Sequence, residues 1–152
     1  MKLLLDTNIV LDFCNNRRVP FHGECIDLLS ACLGSSDIEL MVAISSLNDA
    51  YYALRRHYGT ESQARQDIGR LLNLFEIRPL LVRHARQSYQ SDEPDFEDGL
   101  IRAVAEDNQA DVIVTRDAAA FAHSSVAHMN ALECLKLLRG AGVIASECRP
   151  TG

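Results

Sequence analysis

Leu3-Leu4-Leu5-Asp6 joins three consecutive leucines to an aspartate, and Val112-Ile113-Val114-Thr115-Arg116-Asp117 repeats this arrangement late in the chain. Each apolar run has the length of a buried parallel strand, so we expect Asp6 and Asp117 to lie where two strands emerge into solvent. Open α/β sheets bind their ligands at these carboxyl ends. The two stretches therefore predict a sheet with a functional site at one edge.

The rest of the chain alternates short apolar runs with segments of helical spacing. Further strands are predicted at 38–44, 75–77 and 126–129, and helices at 9–14, 20–33, 46–58, 61–74, 81–90, 95–108 and 130–139. Strands that alternate with helices predict a mainly parallel sheet covered on both faces. The expected fold class is α/β, a three-layer αβα architecture around a central sheet.

Length and composition place the chain among soluble globular proteins. With 152 residues, of which 47% are hydrophobic, it fits one domain that can bury a core without disulfides. Its five cysteines are an odd number with no C-x-x-C pair, which argues against a disulfide framework and a zinc knuckle. The apolar segments are shorter than the roughly 20 residues of a membrane span. We expect a cytoplasmic protein with no membrane contact, buried Cys25 and Cys32, and Cys148 as a free thiol in a tail.

The charge pattern leaves a nucleic-acid partner open. A net charge of −6 ordinarily disfavours binding to a polyanion. All the basic residues except Lys2 and Lys136 are arginines, however, and arginine suits bidentate phosphate contacts. Because salt screens charges over about 8 Å, a local arginine cluster can hold a phosphate while distant acids count for little.

Two further groups of acids have ordinary explanations when each is taken singly. Asp95 and Asp98 are three residues apart at the start of a predicted helix and share one side of it, whereas Glu97 is expected to point elsewhere. Asp49 follows Ser46 with the spacing of a capping box. As caps or first-turn charges, such acids stabilise a helix by about 0.5 to 2 kcal/mol.

Taken together with Asp6 and Asp117, these acids predict a metal site. Carboxylates gathered at one edge repel one another unless a cation or bound protons neutralise them. Hard divalent cations such as Mg²⁺ and Mn²⁺ prefer oxygen ligands of this kind. Asp98 is predicted to be a better ligand than Glu97.

Four segments together resemble PIN-domain proteins, in the family's order and at its spacings. They are Leu4-Leu5-Asp6-Thr7-Asn8-Ile9-Val10-Leu11-Asp12, Ser45-Ser46-Leu47-Asn48-Asp49-Ala50-Tyr51-Tyr52, Asp95-Phe96-Glu97-Asp98-Gly99-Leu100-Ile101 and Asp111-Val112-Ile113-Val114-Thr115-Arg116-Asp117. The resemblance covers residues 1 to 139, which we take as a PIN-like nuclease domain, and leaves 140–152 as a C-terminal tail. It implies a ribonuclease that uses Mg²⁺ or Mn²⁺ and is, in bacteria, often the toxin of a toxin–antitoxin pair. The expected partners are an RNA substrate, an antitoxin protein and a second copy, since homodimers are the common default.

The resemblance also implies roles for individual residues. Asp6, Asp98 and Asp117 match metal-ligand positions of the family. Asn8, Thr115 and Asp95 match neighbouring active-site positions, and Asp95 is a further candidate for the metal.

Two positions depart from the family pattern. Asp49 occupies the second acidic position, which is commonly Glu, and is a candidate ligand one methylene shorter. Many members carry an acid before the Phe that follows T-R-D, where this chain has Ala120.

The arginines nearest these motifs are candidates for RNA binding. Arg116, Arg17 and Arg18 are expected to contact the RNA backbone through its phosphates. The five histidines show no ligand spacing and are expected on the surface or in loops.

Two alternative functions are left open by the sequence. A PIN-like domain with weakened catalysis would serve as a binding partner, and the departures at Asp49 and Ala120 favour it. A phospho-receiver module also carries acids at strand ends, but it needs a lysine near its last strands, where neither Lys2 nor Lys136 is placed.

Overall fold

Five strands and seven helices make up the fold of this computed structural model, which describes residues 1–145. The strands are β1 (Lys2–Leu5), β2 (Glu39–Ala43), β3 (Glu76–Arg78), β4 (Val112–Val114) and β5 (Ala127–Met129). The helices are α1 (Thr7–Cys14), α2 (Phe21–Leu33), α3 (Ile44–Tyr58), α4 (Glu61–Leu74), α5 (Val82–Gln90), α6 (Phe96–Asp107) and α7 (Ala131–Gly140), with a 3₁₀ turn at Ala119–Phe121.

The strands form one sheet in the order β3-β2-β1-β4-β5, and every pairing is parallel. β1 lies at the centre, where Leu3 is opposite Leu40 of β2 and Val112 of β4. The predicted α/β class with a parallel central sheet is thereby confirmed. Because the strands are parallel, the segments that follow β1, β2 and β4 all leave the sheet at the same edge.

Alternating side chains of the strands build a core on each face of the sheet. Leu3 and Leu5 pack on one side with residues of α1, α2, α3, α4 and α7, whereas Leu4 packs on the other side with Ile101 and Val104 of α6. All three leucines are fully buried. The sheet is therefore covered on both faces, as three layers require.

The starts of two helices show where the local sequence signals predicted a cap correctly and where they did not. Asn130 caps α7 and forms the predicted capping box with Glu133, whose carboxylate accepts from the Asn130 backbone N–H. The capping box predicted for Asp49 is wrong, because α3 already begins at Ile44. Its partner Ser46 is instead buried and accepts a hydrogen bond from Thr7 Oγ1 at 2.9 Å.

One histidine also departs from expectation. His84 is buried, and its Nδ1 accepts a hydrogen bond from the Leu81 backbone N–H at 3.1 Å. The prediction that all histidines lie on the surface or in loops is therefore wrong for His84. Beyond α7, Ile144 packs into the core.

The cysteines that the structure describes are free thiols. Cys25 and Cys32 are buried as expected, and burial raises the pKa of Cys25 to about 12 and of Cys32 to about 11. Cys148 lies outside the described residues. Within residues 1–145, no helix is both long and apolar enough to cross a bilayer.

Gly99 lets the first turn of α6 pack closely against α5. A Cβ atom at this position would lie 2.2 Å from Ser88 Oγ and 3.0 Å from Ser88 Cβ. The Ser88 hydroxyl is already committed, since it donates to the Phe96 carbonyl at 2.7 Å. Because Gly99 directly follows Asp98, this packing also fixes where Asp98 lies.

We expect Gly99→Ala to lower the free energy of unfolding by about 1 to 3 kcal/mol, because α5 and α6 must move apart to accept the methyl group. Urea denaturation followed by circular dichroism measures the change. Gly69→Ala in α4 is the matched control, since nothing lies within 4 Å of its Cβ position. That variant should be neutral or up to about 1 kcal/mol more stable. Equal stabilities of the two variants would contradict the packing described here.

Candidate metal centre

Asp6 lies at the junction of β1 and α1 and is 5% exposed. Its Oδ1 accepts a hydrogen bond from the Thr7 backbone N–H at 2.7 Å. Its Oδ2 accepts from Asn8 Nδ2 and from Thr115 Oγ1, both at 2.7 Å. Since a carboxylate oxygen has two lone pairs, Oδ1 keeps acceptor capacity that a cation can use.

The segment after β4 is tied to this carboxylate. Thr115 Oγ1 accepts from the Asp117 backbone N–H at 3.0 Å while donating to Asp6. The Arg116 backbone N–H donates to Asn8 Oδ1 at 3.1 Å. Asn8 and Thr115 thus link the ends of β1 and β4, and Asp117 lies beside Asp6 as a consequence.

The start of α6 brings Asp95 and Asp98 to the same edge. Asp95 is the N-cap, and its Oδ1 accepts from the Glu97 backbone N–H at 2.7 Å and from the Asp98 backbone N–H at 3.4 Å. The pKa of Asp98 is raised to about 6, chiefly by burial. Four neighbouring acids add to this rise, namely Asp6, Asp95, Asp117 and Glu93.

The pKa of Asp6 is also raised. Burial raises its pKa even though three hydrogen bonds favour its ionised form, and the charge of Asp117 raises it further. Asp6 and Asp98, from two different segments, both have raised pKa values, and the charge of Asp117 contributes to each rise. Their oxygens are hard donors, and a divalent cation would relieve this repulsion, so the donor set fits Mg²⁺ or Mn²⁺.

Glu97 and Asp49 form a second acidic pair at this edge. Partial burial, a hydrogen bond with Asp49 and the charge of Asp49 together raise the pKa of Glu97 to about 7. Glu97 makes its contact with another helix, where it meets Asp49 of α3. Helical spacing alone gave no sign of this contact, because Asp49 lies on another helix.

Among residues 1–145, a different group of three acidic or histidine side chains brings its ligand atoms closer together than Asp6, Asp98 and Asp117 do. Within residues 1–145, three such atoms within 4.8 Å of one another occur at Asp92, Glu93 and His123. This group adjoins the edge, since the charge of Glu93 contributes to the raised pKa of Asp98.

Two of the three arginines proposed for RNA binding are held by Asp12. Arg18 Nε lies 2.5 Å from Asp12 Oδ1, and Arg116 Nε lies 2.7 Å from Asp12 Oδ2. The Arg116 guanidinium also stacks 4.2 Å from the ring centroid of Phe21. Asp12 itself is fully buried, so these two contacts balance a carboxylate that burial would otherwise make costly. Arg17, by contrast, is exposed.

A family model described as PIN domain matches residues 2–119. The chain belongs to the PIN domain family. The match confirms the resemblance that the sequence motifs of this PIN domain show. The acids at the carboxyl edge of the sheet lie within the matched residues. A comparison with curated proteins gave no match.

Solved structures show the same PIN fold in three bacterial proteins. FitAcB from Neisseria gonorrhoeae is 22% identical, with a TM-score of 0.63, and the match covers 85% of this chain and 97% of that one. VapC20 from Mycobacterium tuberculosis, described as a sarcin–ricin loop cleaving toxin, is 17% identical with a TM-score of 0.65 over 80% of this chain and 94% of that one. VapBC2 from Rickettsia felis, bound to a DNA fragment from its promoter, is 16% identical with a TM-score of 0.60, and the match covers 86% of this chain and 98% of that one. At these identities the likeness establishes the fold.

We expect Asp98→Asn to stabilise the PIN domain at pH 8 in the presence of a chelator. The folded-state pKa of Asp98 lies above its ordinary value of 3.8, at about 6. Its ionised form therefore lowers stability above pH 6, and this loss disappears as the pH falls towards about 4. After discounting for solvent screening of a partly exposed group, the expected gain is on the order of 1 kcal/mol.

Urea unfolding of both proteins between pH 5 and pH 8 measures this difference. Asp27→Asn, at an exposed position of α2, is the control and should change stability little at any pH. A gain that stays constant across this range, or a loss at pH 8, would show that Asp98 is not crowded by the neighbouring acids.

Proposed function

We propose that this PIN domain is a metal-dependent endoribonuclease that hydrolyses RNA phosphodiester bonds. The observation that carries the proposal is the meeting of Asp6, Asp98 and Asp117 from three separate segments at the carboxyl edge of the sheet. Burial and the charges of the other two raise the pKa of Asp98 to about 6. Carboxylates that repel one another in this way are stabilised by a bound cation, so the arrangement is well suited to hold one.

Asp6, Asp98 and Asp117 would hold Mg²⁺ or Mn²⁺ through their carboxylate oxygens. When bound, the ion would lower the pKa of a coordinated water and offset charge that develops on the phosphate. Asp95 is a weaker candidate, because its Oδ1 is already committed to capping α6. Asp49 is a candidate through its pairing with Glu97, which places two further oxygens at the edge.

Asn8 and Thr115 position the ligands in this proposal. Both donate to Asp6 Oδ2, which leaves Oδ1 as the oxygen with spare capacity. Thr115 also holds the Asp117 backbone at 3.0 Å, so one hydroxyl sets the separation of two ligands. Removing such supporting groups typically lowers metal affinity or activity 10 to 100-fold.

The arginines contribute unequally to RNA binding. Arg17 is exposed, and within residues 1–145 no ion pair holds its side chain away from a phosphate. Arg18 and Arg116 are about one-third exposed and partly neutralised by Asp12. They can present the outer face of the guanidinium to RNA while Asp12 fixes its position.

The biological setting that we propose is a toxin–antitoxin pair in a bacterial cytoplasm. The solved relatives include FitAcB and the toxin VapC20, and a VapBC2 complex on its promoter DNA. An antitoxin protein is accordingly the proposed partner, and a homodimer is the proposed state of the free chain.

Cleavage of a structured RNA in the presence of Mg²⁺ or Mn²⁺ tests the proposal. We expect the wild-type chain to cut the RNA, and we expect Asp6→Asn, Asp98→Asn and Asp117→Asn each to reduce the rate at least about 100-fold, because each removes charge that binds the ion. Chelation should abolish cleavage, and Asp27→Asn should leave it unchanged. Circular dichroism of each variant separates loss of chemistry from loss of fold.

Two outcomes would contradict this assignment. Undiminished cleavage by Asp98→Asn would show that the site lies elsewhere. No cleavage by the wild type with either ion would favour the alternative, a PIN-like binding domain with weakened catalysis. Induced expression in bacteria extends the test to the toxin role, since the wild type should arrest growth and Asp98→Asn should not.

A further inference from the structure

A second group of potential metal ligands lies outside the site proposed above. It joins Asp92 and Glu93, in the segment between α5 and α6, to His123 in the loop after the 3₁₀ turn. One ligand atom from each residue lies within 4.8 Å of the other two. None of the three belongs to the motifs that carry the family resemblance.

Arg102 divides the oxygens of this group into two sets. Its Nη1 lies 2.7 Å from Glu93 Oε1 and 3.5 Å from Asp92 Oδ1. The remaining oxygens face the histidine, with Asp92 Oδ2 at 3.7 Å and Glu93 Oε2 at 4.0 Å from His123 Nδ1. The guanidinium therefore fixes both carboxylates from one side and leaves the other side open to a cation.

Glu93 provides an independent observation that points to a ligand at this group. Its side chain is 0% exposed, although that of Asp92 is 71% exposed and that of His123 55% exposed. Glu93 Oε2 is buried and has no hydrogen-bond partner among residues 1–145. A buried carboxylate oxygen without a partner is costly, and a cation placed between it and His123 would satisfy it.

The charges around the group also match a divalent cation. Arg102 faces Asp92, Glu93 and Glu106, with Glu106 Oε1 at 2.9 Å from its Nε. Three carboxylates against one guanidinium leave two negative charges when His123 is neutral. One M²⁺ ion balances them.

We infer that Asp92, Glu93 and His123 form a second cation site, selective for Zn²⁺ or Mn²⁺ over Mg²⁺. An imidazole nitrogen with two carboxylates is a ligand set for borderline transition metals, whereas Mg²⁺ prefers oxygen alone. Metal–ligand bonds of about 2.1 Å place ligand atoms roughly 3.0 to 3.5 Å apart, so the separations of 3.7 and 4.0 Å from His123 Nδ1 need to close by about 1 Å or less. The bound ion ties the loop that follows Asp117 to the segment that precedes Asp95.

Calorimetric titration of the whole chain with Zn²⁺ tests this site. The measurement is made on Asp98→Asn, so that binding at the catalytic edge does not obscure it. We expect about one Zn²⁺ per chain, and a loss of affinity of at least about tenfold when His123→Ala is added. His57→Ala, at an exposed position of α3, is the matched control and should leave the affinity unchanged.

NMR of the histidine side chains supplies a second readout. Zn²⁺ should shift the imidazole nitrogen resonances of His123 and not those of His57, and Asp92→Asn, a change at an exposed residue, should weaken the response. Equal affinities of the His123→Ala and His57→Ala proteins, or an unshifted His123, would overturn the inference. Because these measurements need no RNA and no activity, they stand or fall separately from the nuclease assignment.

Discussion

The carboxylate of Asp6 is buried at the junction of β1 and α1, and three hydrogen bonds hold it there. Burial still raises its pKa, so these bonds do not fully offset the cost of an ionised group in this position. The donors come from Thr7, Asn8 and Thr115, which belong to the segments after β1 and β4. Placing Asp6 therefore requires the central pair of strands, and the central pair in turn places Asp117 beside it.

The same requirement explains the packing around α6. Asp98 reaches Asp6 and Asp117 only if the first turn of α6 lies close to the sheet edge, and Gly99 allows the approach to α5 that this position needs. Asp95 begins the helix at that point by capping two backbone N–H groups. Asp95, Asp98 and Gly99, which lie within five residues, thus act together to place the Asp98 carboxylate at the sheet edge.

The sequence predicts the parts of this arrangement that depend on local patterns. Strand and helix positions follow from hydrophobic periodicity, and Asp6, Asp98 and Asp117 were found because they follow buried strands or begin a helix. For Asp49, only the capping-box interpretation was wrong: its distance from Ser46 suits such a box, but α3 starts at Ile44 and carries no capping side chain.

Contacts between distant segments were not predictable in the same way. The pairing of Glu97 with Asp49, the two arginines on buried Asp12, and the buried His84 all join residues from different helices or loops. Periodicity shows which side of a helix a residue occupies, but not which segment packs against that side. The group at Asp92, Glu93 and His123 was missed for the same reason, because 30 residues separate Glu93 from His123.

We propose that the edge carboxylates gather to hold a divalent cation. A crystal structure of the chain grown with Mn²⁺, with data collected near the manganese absorption edge, tests this directly. We expect an anomalous peak about 2.2 Å from oxygens of Asp6, Asp98 and Asp117, with Asn8 and Thr115 retaining their bonds to Asp6. Crystals that show Mn²⁺ only away from these three aspartates, or none at saturating concentration, would contradict it.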